Sequence, residues 1–205
     1  MKVLLVYGTT EGQTEKVVKF VAERLTRQGH QALTVRIGGT QAMPEIRDFD
    51  AIVVAASVRA GRYQLAVTQF VKRHLGAICA KPNAFLSVSL AAASDDAGDV
   101  AGLEKCAAAF IRATRWTPDQ IHHVAGAFRY TRYGFVTRWA MRRLAARKGV
   151  STDTSHDLEL TDWDDVAMFA SAFAARADPQ VAKQGSQPMP ASQTEQLRQA
   201  VTERA

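Results

Sequence analysis

The run Val3-Leu4-Leu5-Val6-Tyr7-Gly8-Thr9-Thr10-Glu11-Gly12-Gln13-Thr14 limits this chain more than any other segment. An apolar strand pattern passes straight into a hydroxyl-rich turn and then into a helix. Such a turn suits an anion, a phosphate above all. Thr9, Thr10 and Thr14 offer hydroxyl donors, and Gly8 and Gly12 let the backbone approach closely. The following helix presents free N–H groups and the positive end of its dipole. Two other phosphate loops are excluded, because Gly8 and Gly12 do not fit G-x-G-x-x-G and no Gly-Lys-Ser/Thr follows. On this segment alone, an ordinary strand-to-helix turn with Thr10 as N-cap stays open.

Beyond the loop, helix-period and strand-period segments alternate. Glu15 to Gln28 sets Val17, Val18, Val21, Ala22 and Leu25 on one helical face, with Gly29 as the stop, and Gln31 to Ile37 reads as a second strand. Ala51 to Ala56 is apolar at every position, as a central parallel strand must be when helices cover both faces of its sheet. Helix Leu65–Leu75, strand Ala84–Leu90, helix Val100–Arg115 and strand His123–Phe128 follow, and Asp162 to Ala177, opened by Thr161 or Asp162, is the last helix. Five strands with interleaved helices predict an α/β fold, a doubly wound parallel sheet with helices on both faces.

With 205 residues, 47% of them hydrophobic, the chain can bury one sizeable core, so residues 1–178 are expected to form one domain. From Pro179 onward the composition turns to Pro, Gln, Ser, Gly and Ala, and 179–205 reads as a disordered tail. Cys79 and Cys106 lie far apart in apolar surroundings without metal spacing, so buried reduced thiols in a cytoplasmic protein are expected. No basic leader precedes the first strand, and nothing approaches the roughly 18 uninterrupted apolar residues of a membrane span.

The net charge of +6 has one address. Between Gln120 and Thr152 there is no acidic residue, whereas Arg129, Arg132, Arg138, Arg142, Arg143, Arg147 and Lys148 contribute seven positive charges, more than the whole chain's excess. A local patch calls for a local anionic partner.

Ligands of doubly wound sheets bind beyond the carboxyl ends of the strands, where the winding reverses. Three loops should meet there: Thr9 to Thr14, Ser57 to Tyr63, and Ser89 to Ser94. Ser57-Val58-Arg59-Ala60-Gly61-Arg62-Tyr63 combines a hydroxyl, a flexible glycine and an aromatic ring, the parts needed to cover a flat heterocycle while backbone groups bond its edge. A phosphate loop with two ring-flanking loops suits a mononucleotide flavin, FMN. Tyr63 packing on the next helix instead stays open.

At this point the residues resemble a known group. Thr9-Thr10-Glu11-Gly12-Gln13-Thr14 is similar to the FMN-phosphate loop of flavodoxin-like proteins, with Glu11 where those usually carry another hydroxyl. That carboxylate should turn outward, away from a dianion. Glu11-Gly12-Gln13-Thr14, Ala56 to Tyr63, Phe128-Arg129-Tyr130-Thr131-Arg132-Tyr133 and Thr161-Asp162-Trp163 together resemble the flavodoxin-like, menaquinone-dependent protoporphyrinogen oxidase family, over about residues 1–178. The resemblance implies a peripheral protein at the cytoplasmic membrane face that removes six electrons and six protons from protoporphyrinogen IX, late in haem synthesis. A respiratory quinone, menaquinone or ubiquinone, would accept the electrons.

On this reading Thr9, Thr10, Glu11, Gly12, Gln13, Thr14, Ser57, Val58, Arg59, Gly61, Tyr63, Ser89, Leu90 and Ala91 are the cofactor-binding candidates. Arg129 and Arg132, then Arg59 and Arg62, are the partners for substrate propionates. No catalytic side chain is assigned, since the flavin carries the chemistry. Tyr133 to Gly149 resembles a basic helical insert lying on an anionic membrane surface, although Arg143 and Arg147 share the arc of its apolar residues; a basic helix covering the sheet is the alternative. His122 and His123 are weighed as proton acceptors and set aside, one expected exposed and the other half-buried. No metal is proposed, and nucleic-acid binding is ranked low because it leaves the flavin pocket unexplained. Homo-oligomer formation stays open. The rivals are an NAD(P)H:quinone reductase with the same pocket and an electron-carrier flavodoxin, whose usual acidic docking face this basic chain does not match.

Overall fold

A computed structural model describes residues 1–94, 96–128 and 158–178. Its elements in chain order are β1 (Lys2–Gly8), α1 (Gln13–Arg27), β2 (Gln31–Arg36), β3 (Ala51–Ser57), α2 (Leu65–Cys79), β4 (Asn83–Ser89), α3 (Ala97–Thr114), β5 (Gln120–Ala125), β6 (Ala127–Phe128), β7 (Leu158–Glu159) and α4 (Trp163–Ala177). Strands β2-β1-β3-β4-β5 form one parallel sheet in that order. The doubly wound sheet expected from the alternating periods is therefore present. The basic segment Arg129–Gly149 and the tail 179–205 lie outside the described residues.

Strand alternation sorts the core into two layers. Val3, Leu5 and Tyr7 of β1, with Val53, Ala55, Leu86 and Val88, pack under α1 and α4. Leu4 and Val6, with Ile52, Val54 and Phe85, pack under α2 and α3. A period of two with both faces buried explains why β1 and β3 read as continuous apolar runs. Helix α1 buries Val17, Val18, Val21, Ala22 and Leu25, the face read from the sequence.

Several boundaries differ from expectation. Helix α1 starts at Gln13 from Gly12, whose left-handed φ of 95° makes it, and not Thr10, the capping residue. Helix α2 runs past Leu75 to Cys79 through a distorted turn at His74, because Ile78 is drawn into the core; Cys79, one position further round, is exposed rather than buried. Cys106 is buried as expected. Helix α3 starts earlier than Val100, where Asp96 accepts the N–H groups of Gly98 and Asp99 at 2.9 and 3.1 Å. Asp162 caps α4 in the same way.

The fifth strand begins at Gln120 and leaves the sheet after Ala125, so His123 to Phe128 is not one continuous strand. At Gly126 a Cβ would come within 3.3 Å of the Ser89 backbone, so the chain can press against β4 and turn away. Ala127–Phe128 then pairs antiparallel with Leu158–Glu159, which brings the two ends of the 129–157 segment together at the carboxyl edge of the sheet.

At the opposite edge Asn83 holds the β4 and β5 approaches together. Its Oδ1 accepts the indole N–H of fully buried Trp116 at 2.9 Å, and its Nδ2 donates to Lys81 O at 2.9 Å and Asp119 Oδ2 at 3.2 Å. Asn83→Ala would leave that indole N–H unpaired in the core, so it should lower the unfolding free energy by about 2–4 kcal/mol in urea titrations.

Candidate functional site

The loops after β1, β3 and β4 meet where the winding reverses, around a cleft of about 270 Å³. Its walls are Thr9, Thr10, Glu11, Gln13 and Thr14 from the first loop, Ser57, Val58, Arg59 and Ala60 from the second, and Val88, Ser89, Leu90 and Ala91 from the third. Gly126 and Ala127 close it on the β5 side. A Cβ on Gly8 would stand 2.5 Å from Val67 Cγ2, so only glycine lets β1 end this close to α2.

The first loop is built to receive an anion. Thr9 Oγ1 accepts the Gly12 N–H at 2.9 Å, which tightens the turn, and the first helical bond runs from Lys16 N to Gly12 O. No side chain caps α1. The amides of its first turn therefore point toward the cleft with the positive end of the helix dipole behind them. Thr14 is fully buried, and among the described residues its Oγ1 has no hydrogen-bond partner. A buried hydroxyl left unpaired costs about 1–3 kcal/mol, and an anionic oxygen in the cleft would satisfy it. These residues fit a phosphate monoester.

Two of these wall residues also have other surroundings. Gln13 turns its side chain away, its Nε2 donating to Glu159 Oε1 at 2.7 Å and to Thr161 Oγ1 at 2.8 Å. Thr161 in turn donates to Ala125 O at 2.7 Å, and Lys16 pairs with Glu159 at 2.6 Å. Gln13 thus ties the β7 return to the base of the anion loop. Glu11 is half-buried and lines the cleft.

Tyr63 does not offer its ring to the cleft. Ala60 and Gly61 both adopt positive φ, and Arg59 and Arg62 exchange backbone hydrogen bonds of 2.9 and 3.1 Å across them, the pattern of a two-residue hairpin. That reversal sends Tyr63 inward, where its hydroxyl meets Ser87 Oγ at 2.8 Å and its ring lies edge-on to Phe85 and Phe110. Burial pushes its phenol far above the ordinary range. Gly61 and Arg62 are exposed on the hairpin and do not line the cleft, whereas Arg59 does. Gly12 shapes the turn without lining the cleft. Ser89 Oγ accepts Ala92 N at 3.1 Å, which folds the third loop. Arg129 and Arg132 lie outside the described residues.

Sequence reasoning missed Gly126, Ala127 and Glu159, which reach the site through the late departure from β5, and it read Thr161 as a helix cap and motif residue without a part in the site. It also missed Gln64, which bridges Thr10 and Ser57. No local pattern marks Gly126, Ala127, Glu159 or Gln64.

His122 and His123 are both half-buried on opposite faces of β5, rather than one exposed. His122 Nε2 lies 3.0 Å from Asp165 Oδ2 but off the hydrogen-bond direction, and its ring stacks on Phe169. His123 Nε2 is 3.5 Å from Glu104 Oε1; burial pulls its basicity below normal, with Glu104 opposing and His122 adding to the fall. Among the described residues no cluster of three or more His, Cys, Asp or Glu is arranged for a metal, and no helix is long and apolar enough to cross a membrane.

Cleft and topology define an α/β protein of the flavodoxin type. The family model described as "Flavodoxin domain" matches residues 4–155. A curated relative, "Protoporphyrinogen IX dehydrogenase [quinone]" of Escherichia coli strain K12, is 33% identical over 178 residues, covering 87% of this chain and 97% of its own. A Leishmania major protein of the same name is 30% identical over 177 residues, covering 85% and 75%. The crystal structure of oxidised Flavodoxin 2 from Bacillus cereus superposes with a TM-score of 0.53 at 14% identity, covering 86% of this chain and 99% of that one, a likeness of fold alone. The chain belongs to the flavodoxin-domain family, in the branch of these quinone-linked protoporphyrinogen IX dehydrogenases.

Two outcomes follow from this geometry. Thr14→Val removes the unpaired buried hydroxyl, so the ligand-free protein should melt at the same or a slightly higher temperature, while the stabilisation by millimolar inorganic phosphate expected of the wild type should disappear. The folded-state basicity of His123 is depressed, so the unfolded chain binds more protons just below pH 6.5 and stability falls as pH drops through that window. In His123→Leu the loss of urea stability between about pH 7 and 5 should be smaller than in the wild type.

Proposed function

We propose that this protein is an FMN-dependent dehydrogenase that converts protoporphyrinogen IX to protoporphyrin IX and passes the electrons to a respiratory quinone, menaquinone or ubiquinone. The observation that carries the reading is the orphan Thr14 hydroxyl beneath the uncapped start of α1, in a cleft at the switch point of the sheet. The names of the relatives supply the substrate class. FMN, when bound, supplies a two-electron acceptor that can return its electrons singly or in pairs.

The chain's own residues hold and orient. Thr9, Thr10, Thr14 and the first-turn amides of α1 would hold the phosphate, and the second and third loops would hold the ring. Val58, Ala60, Val88, Leu90 and Ala91 give that part of the cleft apolar walls, which exclude water from the ring faces. Arg59, at the cleft, is placed to meet an anionic group of the substrate, and in the sequence Arg129 and Arg132 come one and four positions after the end of β6. Their guanidinium groups match the planar propionate carboxylates of a porphyrinogen. The seven cations between residues 129 and 148 would hold the protein to an anionic membrane, where quinone and porphyrin partition.

Purified protein should be yellow, with the absorption bands of an oxidised flavin, and should form porphyrin from protoporphyrinogen IX anaerobically with a quinone. NADPH oxidation without porphyrin formation would favour a quinone reductase instead. Arg129→Ala combined with Arg132→Ala should raise KM for the porphyrinogen by about tenfold or more while FMN stays bound. Unchanged kinetics would remove those arginines from the substrate site.

A further inference from the structure

Gln64 stands immediately before α2, and its amide reaches across two loops of the cleft. Its Nε2 donates to Ser57 Oγ at the end of β3 and to Thr10 Oγ1, 3.2 Å away, in the loop after β1. Both hydroxyls line the cleft. Because they share one nitrogen, they stand at the same end of it, the end formed by the anion loop. The other end of the amide has no counterpart: Gln64 Oε1 is buried without a partner among the described residues. A Cβ on Gly8 would stand 3.2 Å from that oxygen, so the space for the amide depends on a glycine at the end of β1.

A hydroxyl carries one proton and two lone pairs. An oxygen that accepts from an amide N–H keeps its proton for another acceptor, whereas one facing a carbonyl would spend that proton on it. The donor end of Gln64 therefore leaves the protons of both Thr10 and Ser57 for the cleft. Two hydroxyls with their protons already committed in direction lose little freedom when an anion arrives.

We propose that Gln64 is a positioning residue that makes Thr10 and Ser57 proton donors into the cleft, and that it thereby sets the preference of the site for a phosphorylated over an unphosphorylated flavin. The proposal rests on the FMN reading above. It assigns the discrimination to a side chain that need not touch the ligand.

The test compares dissociation constants of FMN and riboflavin, by quenching of flavin fluorescence, in the flavin-stripped wild type, Gln64→Met and Gln64→Glu. Far-UV circular dichroism checks folding. Methionine keeps the bulk without the donor, and should weaken FMN by about tenfold while riboflavin changes by less than about twofold. Glutamate takes the hydroxyl protons for itself, so its larger FMN loss should persist in high salt, where plain charge repulsion is screened. If Gln64→Met keeps the FMN-to-riboflavin ratio, or weakens both flavins equally, the amide merely braces the loops and the proposal is overturned. Thr10→Ala combined with Ser57→Ala should reproduce the selective loss; if it retains the FMN preference, the proposal falls even where Gln64→Met does not fold. A wild type that binds no flavin, or binds riboflavin as tightly as FMN, overturns the phosphate reading itself, a failure distinct from the other two.

Discussion

Everything at the cleft depends on the burial of a parallel sheet on both faces. Helices α1 and α4 cover one side, α2 and α3 the other, and β1 and β3 lie between them with every central side chain enclosed. Chemistry then has to gather at an edge, where strands end and loops begin. At the carboxyl edge the helix that follows β1 presents its amides, and the strand order β2-β1-β3-β4-β5 separates neighbouring loops enough to leave a cleft. The unpaired amides at the start of α1, with the positive end of the helix dipole behind them, make that cleft favourable to an anion.

The same edge also roots the basic segment. After Ala125 the chain leaves the sheet, and β6 and β7 bring its departure and return side by side. Gln13 joins that return to the base of the anion loop through Glu159 and Thr161, and Thr161 fastens it to Ala125. One residue of the helix start thus holds Glu159 and Thr161 while its neighbour Thr14 serves the cleft. Alternate side chains on a first helical turn point in different directions, so two adjacent residues can take on unrelated work without competing.

Much of the architecture was legible because local period and burial coincide here. Continuous apolar runs could only be strands covered twice, and Val17, Val18, Val21, Ala22 and Leu25 could only be one buried helical stripe. The cleft's three loops were legible for a topological reason, since a doubly wound sheet admits few places for a ligand. Individual side chains were less so. Tyr63 looked like a cover for a flat ring, but a hairpin with positive φ at Ala60 and Gly61 turns it onto Phe85, Phe110 and Ser87. Cys79 read as buried and is exposed, because α2 continues through the distortion at His74 and seats Ile78 instead.

By itself the sequence determined the alternation of strands and helices, the double covering of the sheet, and a hydroxyl-rich turn at a helix start, all consequences of neighbours a few residues apart. Tertiary structure decided which polar groups pair. Gln13 finds Glu159 and Thr161 at separations of 146 and 148 residues, and Gln64 finds Thr10 at 54. Such bonds carry no local periodicity; they exist only once loops from separate strand ends are brought to the same edge. Thr14 shows the division most clearly, since its hydroxyl could be read from the chain, but its lack of a partner only from the fold.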